Sequence, residues 1–494
     1  MKTNYLPVLL VLCCFSITSF GQFEKLDLEK YKNPFYKRQQ LDLSLYLNGN
    51  NNSYEPTNVV NPFKSIRSNF TGNFSGTYNA VFNSSKKQSS WLVNLSDYPY
   101  FSNQKNENSD SSYTKFKDKT NQISMNIQNS TRYYFANLTF FEFRFNGNAS
   151  IATNNNTWDY YRIGTNAFLN NSENKTTDKQ LSGELSLRLG HGRIEFVEDA
   201  RLAVYILDDL SKHNRLSRIP TDEEILEFAK VITQVKNKRF FDTRIRKIEE
   251  ITKADSFLVA SNLINKNDAA YFTTLNDNWV NAAGPARASG FRYSIGISPS
   301  GKWNYSNDWY SYFSSVYTDS KNDYTKIGIS GDLQFDYSKP LSLKWQFDGG
   351  LNLKYSLYNV NGNINNNLLN SLSYSSKEHY NEFVGNLSVG FGFYPNSRTS
   401  FNSSVGLLYR NSNDKVIDPN LVQNKGNYQN ISPVFSLNGY YFISERLRLQ
   451  ASYSVSYSNA KRDEPYDYLY LQMNSSNSKN FNQNFTINLS YAFF

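Results

Sequence analysis

The sequence predicts an all-β transmembrane barrel of about 14–16 antiparallel strands with a small α-helical insertion. Three observations lead there. Tyr (37) and Phe (36) dominate an aromatic content of 16%, yet hydrophobic residues reach only 39% and mean hydropathy is −0.60. Apolar and polar residues alternate along most of the chain, as in strands with one lipid face and one water face. Short and long connections between these strands also alternate, the pattern of tight periplasmic turns and longer extracellular loops. After residue 21 no run of about 20 apolar residues occurs, so no helical membrane span is expected.

The first residues read as a targeting segment. Met1-Lys2 is basic, Leu6–Phe20 is largely apolar, and the small Gly21 precedes Gln22, so a signal peptide cleaved before Gln22 is expected. Cys13 and Cys14 both lie within it. Leu12 before Cys13 is not the small residue of a lipoprotein acceptor. The cleaved chain then has no cysteine, which excludes disulfides, thiolate metal sites and thiol nucleophiles. The expected organisation is a signal peptide (1–21), a charged periplasmic lead-in (22–40), a first barrel part (41–192), a helical insertion (193–282) and a second barrel part (283–494).

Leu41–Leu47 is the first clear alternation. Phe70, Gly72, Phe74, Gly76, Tyr78, Ala80 and Phe82 share a face opposite Thr71, Asn73, Ser75, Thr77 and Asn79. A short turn (84–89) leads to a strand over Trp91–Phe101, and a polar loop spans 102–119. Asn121–Ala136 and Leu138–Ile151 form a hairpin in which Phe141, Phe143 and Phe145 oppose Glu142, Arg144 and Asn146. Leu181–Leu189 is the last strand before the insertion. Beyond it the strands are Phe291–Ile297, Tyr310–Tyr317, Lys326–Tyr337, Leu341–Tyr358, Phe383–Tyr394, Ser400–Tyr409, Val434–Ile443, Arg446–Tyr457 and Phe481–Phe494. Short turns are expected at Ser338–Pro340, Pro395–Arg398 and Ser444-Glu445, and Asn-rich loops at 359–379, 411–427 and 459–478. The last strand alternates and ends in Phe, resembling the terminal segment read by the barrel-insertion machinery. Its apolar row stops one residue early, at Phe493.

With both ends of the barrel on the periplasmic side, strand number and the side of the insertion are one question. If Trp158–Leu169 and Phe291–Ile297 both cross, there are about 16 strands and the insertion is extracellular; if neither crosses, there are about 14 and it is periplasmic. The second solution is preferred. Leu181–Leu189 runs directly into helix, and Trp158–Leu169 is flanked by the clusters Asn154–Asn156 and Asn170-Asn171.

Within 193–282 the apolar residues recur at helical spacing. The segment holds 14 Lys+Arg and 15 Asp+Glu, so the chain's net charge of +9 belongs to the rest. That excess fits a solvated basic surface, or more sharply a basic pore lining or attraction to lipopolysaccharide. Four helices are expected. Val197, Ala200, Val204, Leu207 and Leu210 form the first stripe. Thr221-Asp-Glu-Glu224 is a capping box opening a helix that buries Ile225, Phe228, Ala229, Ile232 and Val235. The third helix (239–259) carries Phe241, Ile245, Ile248, Ile251 and Leu258; the fourth (268–279) carries Ala270, Tyr271, Leu275 and Trp279. At about 90 residues the bundle is marginal alone, so it is expected to lean on the barrel rim.

Gly192-Arg193-Ile194-Glu195, Asp199-Ala200 and Arg239-Phe240-Phe241-Asp242-Thr243-Arg244 resemble a helical insertion in large outer-membrane barrels of Bacteroidetes-type bacteria. The Tyr/Phe/Asn-rich strands are similar too. The resemblance implies location and architecture, and no chemistry.

Candidate chemistry is sparse. His191 (strand–helix junction), His213 (helix end) and His379 (long loop) have no metal-ligand spacing. No Gly-x-Ser-x-Gly elbow supports a hydrolase built around His379. No phosphate-binding glycine loop occurs, and Gly385, Gly390 and Gly392 read as packing relief on a strand. Asp208-Asp209 and Asp222–Glu224 read as helix faces and caps. Arg193, Arg239, Asp242, Arg244 and Arg246 are expected to form an ion-pair cluster tying the first and third helices together, or a docking surface for a periplasmic protein or glycan. The expected function is a non-enzymatic outer-membrane barrel, either a pore for a polar solute or an export or assembly component, with the helical segment as plug or docking module. It needs no cofactor and no nucleic acid. Its partners are outer-membrane lipid, lipopolysaccharide and the insertion machinery. The alternatives are a non-conducting surface-binding or structural barrel and, weakest, an outer-membrane hydrolase.

Overall fold

The computed structural model describes residues 26–56, 63–107, 112–162, 168–238, 243–280, 287–312, 315–366, 373–396, 398–417, 424–443, 447–463 and 475–491. The expected signal peptide, the turn at Ser444-Glu445 and the terminal Phe493 and Phe494 lie outside them. Before the insertion the strands are β1 (Tyr36–Tyr54), β2 (Lys64–Asn83), β3 (Lys87–Glu107), β4 (Ser112–Tyr134), β5 (Thr139–Arg162) and β6 (Phe168–Phe196). After it come β7 (Ala288–Tyr312), β8 (Ser315–Pro340), β9 (Trp345–Asn366), β10 (Ser373–Asn396), β11 (Thr399–Ile417), β12 (Asn424–Phe442), β13 (Leu447–Asp463) and β14 (Ser475–Tyr491). The helices are α1 (Glu198–Lys212), α2 (Asp222–Lys236), α3 (Thr243–Ala260) and α4 (Ala269–Val280).

The 14 strands form one sheet in which each pairs with its sequence neighbours. It is an antiparallel β-barrel with a helical insertion. The curvature brings distant side chains together. Gln334 on β8 is reached by Arg144 of β5 at 3.4 Å and by Arg188 of β6 at 2.6 Å, and Arg193 on β6 reaches the β2–β3 turn. The seam lies between β1 and β14. No ladder joins these two among the described residues, and β1 is exposed on both faces.

The alternation sorts the wall. Outward residues such as Ile295 (66%), Ile297 (56%), Leu189 (62%) and Leu357 (50%) are exposed, whereas inward Glu142 (1%), Ser330 (1%), Ser298 (0%) and Asp332 (5%) are buried. The apolar content therefore faces out, the reverse of a soluble protein.

The strand number matches the preferred solution, but the assignments behind it change. Phe291–Ile297 does cross, as the start of β7. Tyr310–Tyr317 is not a separate strand: it straddles the tips of β7 and β8. Trp158–Arg162 ends β5, and β6 begins at Phe168. The described parts of the expected loops at 359–379, 411–427 and 459–478 are strand. β9 and β10 remain paired out to Ser373↔Asn365, so His379 sits in β10 opposite Asn359, not in a loop. The reason is physical. About 9–11 residues cross a bilayer, but these strands run 17 to 29 residues. Beyond the apolar belt, both faces meet water, so the ladder continues without alternation. The β8–β9 turn also falls later than Ser338–Pro340, after Pro340. β1 begins at Tyr36, and in the segment before it Leu26, Leu28 and Tyr31 pack into the helical core.

Candidate functional site

The helices sit at the end of the barrel that carries the short turns, because they join the end of β6 to the start of β7. Their core is dry. Val197, Ala200, Val204, Leu207 and Leu210 of the first stripe and Ile225, Phe228, Ala229 and Ile232 of the second are at most 1% exposed. The capping box at Thr221 is present, with Thr221 N donating to Glu224 Oε2 (2.9 Å) and Glu224 N to Thr221 Oγ1 (3.3 Å). On α3, Leu258 is buried but Ile248 is 68% exposed, so Ile248 is not part of the stripe. The side chains of Phe241 and Ile245 lie outside the described residues.

Glycine shapes the entry to this module. Gly192 (φ +95°) and Gly290 (φ +121°) adopt left-handed conformations at the ends of β6 and β7. A Cβ at Gly192 would stand 2.3 Å from Phe291 O, and one at Gly290 2.1 Å from Arg193 O. The two strand ends thus approach each other more closely than side chains allow, just where the chain leaves the wall.

Three arginines fasten the helices and the strand ends that carry them to the rim. Arg287 is fully buried and donates to Leu343 O (2.5 Å), Ser342 O (2.7 Å), Trp345 O (2.9 Å) and Gln346 Oε1 (3.2 Å), clasping the β8–β9 turn. Burial, aided by Arg201, pulls its guanidinium down to about 10, so it stays charged at neutral pH. Arg398 in the β10–β11 turn grips both carboxylate oxygens of Asp277 on α4 at 2.6 and 2.8 Å. Arg193 binds Glu195 (2.6 Å) and the carbonyls of Ser84 and Ser85, each at 2.9 Å. Tyr205 on α1 adds a bond to Tyr394 O (3.0 Å). The N-terminal segment braces the far side. Tyr31 shares a 2.6 Å bond with Thr233, which donates to Asp199 (2.6 Å). Burial pushes the Tyr31 hydroxyl far above its ordinary range, and burial, with Asp199 beside it, raises the Glu198 carboxyl. Every one of these links to the barrel is made at a turn or a strand end, so the module caps the mouth.

Above the cap the lumen wall carries a band of charge. Arg132 and Arg144 bind Glu142 at 2.7 and 3.1 Å, Arg188 binds Asp332 at 2.8 Å, and Arg292 binds Asp336 at 2.7 Å. Gln334 bridges Arg188 and Asp336. Further toward the long hairpins, one cavity of about 290 Å³ is lined by Lys302, Lys326 and Glu184, and another of about 600 Å³ by Phe116, Trp158, Arg67 and Asp118.

Of the expected arginine cluster, Arg193 is on β6 and its partners belong to the barrel rim. Arg239 and Asp242 lie outside the described residues, as do the side chains of Arg244 and Arg246 on α3. His191 packs near Phe291 and Tyr293, and the His213 ring meets Asp209 O at 2.7 Å. Among the described residues no group of three or more side chains is placed to hold a metal ion. Arg287 and Arg398 were not legible as anchors: the main partners of the first are backbone carbonyls more than 50 residues away, and periodicity does not mark the second.

No protein-family model and no curated protein matches the chain. Among solved structures it is similar to the translocator domain of autotransporter NalP from Neisseria meningitidis, at 9% identity and a TM-score of 0.20. That match covers 83% of this chain and 90% of the other.

Proposed function

We propose that this chain is a non-enzymatic β-barrel of a bacterial outer membrane that passes a polar solute, with the helical module as a cap on its periplasmic mouth. The observation that carries the reading is the two-sided wall, apolar side chains exposed outside and paired charges lining the lumen, closed at one end by a module wired to the rim. The expected signal peptide and the Bacteroidetes-type resemblance fit the same location. Outer-membrane lipid and lipopolysaccharide surround such a barrel, and the insertion machinery places it. In planar bilayers the purified protein is expected to conduct. Arg287→Ala strips the charged donor from four acceptors, a loss of about 3 kcal/mol of cap anchoring, and is expected to raise the open fraction. A wild-type protein that never opens would remove the pore reading.

An export or assembly role is the second reading. It is supported by apolar residues left exposed on the cap, Ile219 (62%), Ile248 (68%) and Phe272 (44%), which a periplasmic partner would cover. Both readings put the cap inside the cell envelope. Trypsin added to intact cells is then expected to spare Arg218 in the α1–α2 connection and to cut it after permeabilisation. Cleavage on intact cells would place the cap outside.

A further inference from the structure

The register sets five side chains of successive strands on one lumenal row. Asn126 pairs with Asn148, Asn148 with Ser182, Ser182 with Lys302, and Lys302 with Lys326. The last step sets two lysines directly opposite each other, a like-charge pairing that destabilises a sheet unless something offsets it. Aromatic rings hold one of them: Lys326 Nζ stands 3.7 Å from the Tyr358 ring centre and 4.3 Å from that of Tyr380, and bonds the Tyr380 hydroxyl. The carboxylate in the same cavity is already engaged, since Glu184 binds Lys354 at 2.8 Å. Glu382, on β10, is engaged by Arg410, and Glu378 stands at the level of Lys326 two strands on. The cavity lining thus presents two cations beside neutral amides and hydroxyls, in about 290 Å³. That is close to the lower end of ligand pockets, about 300 Å³.

We propose that this row is a binding subsite for a small hydroxylated organic anion, an acidic sugar of monosaccharide size. The two lysines take the carboxylate, and Asn126, Asn148 and Ser182 meet hydroxyl groups with both donors and acceptors. The inference names a solute for the pore reading and rests on it for transport, but its binding test stands apart from conductance.

The test is calorimetric titration of the full-length protein in detergent with glucuronate, glucose and inorganic phosphate. Folding of each variant is checked by its heat-modifiable gel mobility. Glucuronate is expected to bind, with glucose weaker by at least about tenfold, as expected from loss of a charge contact in a wet site. Lys302→Gln with Lys326→Gln is expected to weaken glucuronate by at least about tenfold, and Lys302→Arg with Lys326→Arg to retain it. Equal binding of glucose and glucuronate, or unchanged binding in the glutamine variant, would overturn the site. Phosphate binding as tightly as glucuronate would overturn the sugar-acid assignment. Lysine-dependent binding in a protein that never conducts would support the site while removing the pore. Conductance without lysine-dependent binding would do the reverse.

Discussion

The cap and the wall use the same apolar residues in opposite ways. In the cap, Leu207, Leu210, Ile225 and Ile232 are at most 1% exposed; in the wall, Leu333 (43%), Leu357 (50%) and Ile295 (66%) face out. Polar residues invert too, for Glu142 and Ser330, each 1% exposed, are buried in the wall. The cap is built against water, and the wall against an apolar surround. Composition alone averages the two, which is why the mean hydropathy of −0.60 describes neither region.

The largest effect that separates them comes from one substitution made in both places. Leu207→Lys puts an ammonium into a core without a partner for it. The expected cost is about 4 kcal/mol or more, enough to melt the cap while the barrel keeps its heat-modifiable mobility. Helical circular dichroism follows the loss. Leu333→Lys puts the same charge on the outer face, where about 2–4 kcal/mol is expected near the bilayer midplane. The barrel is then destabilised in lipid vesicles while the helical signal stays. If Leu333→Lys is neutral in vesicles, the outer row does not face lipid and the comparison fails.

Legibility differed between the regions for the same reason. The cap's stripes at Val197–Leu210 and Ile225–Val235, and the capping box at Thr221, stand out because a water-facing helix must segregate its faces within a few turns. The wall's apolar rows were equally plain inside the belt. Outside it, the described parts of the Asn- and Ser-rich stretches that look like loops are paired strands, since a ladder of backbone bonds needs no alternating side chains where both faces are wet. The third helix was misread at Ile248 because apolar positions scattered along a charged helix do not reveal which face packs. The candidate site was the least legible. The Lys302–Lys326 row depends on register across β4–β8, and Arg287 on a turn brought close by curvature, neither of which is written in local spacing.

The smallest difference concerns pH and belongs to the cap's surface. The Arg218 guanidinium, with the Thr221 N–H, holds the Glu224 carboxyl down at about 2. Asp268, ahead of α4, is held at about 2 by Arg215, with help from the Tyr271 N–H. Both folded values lie below the unfolded carboxyl range of about 3.9–4.3. The stability they contribute is therefore present above that range and lost as pH falls toward about 2. Both groups meet solvent, so for Glu224 the contribution is expected to be under about 1 kcal/mol. Glu224→Gln with Asp268→Asn should lower the cap's melting temperature slightly at pH 7 and flatten its decline on acidification relative to wild type. Helical circular dichroism during thermal melts at a series of pH values reads both. A double variant whose acid sensitivity equals that of wild type would show that these two carboxylates do not set the cap's acid response.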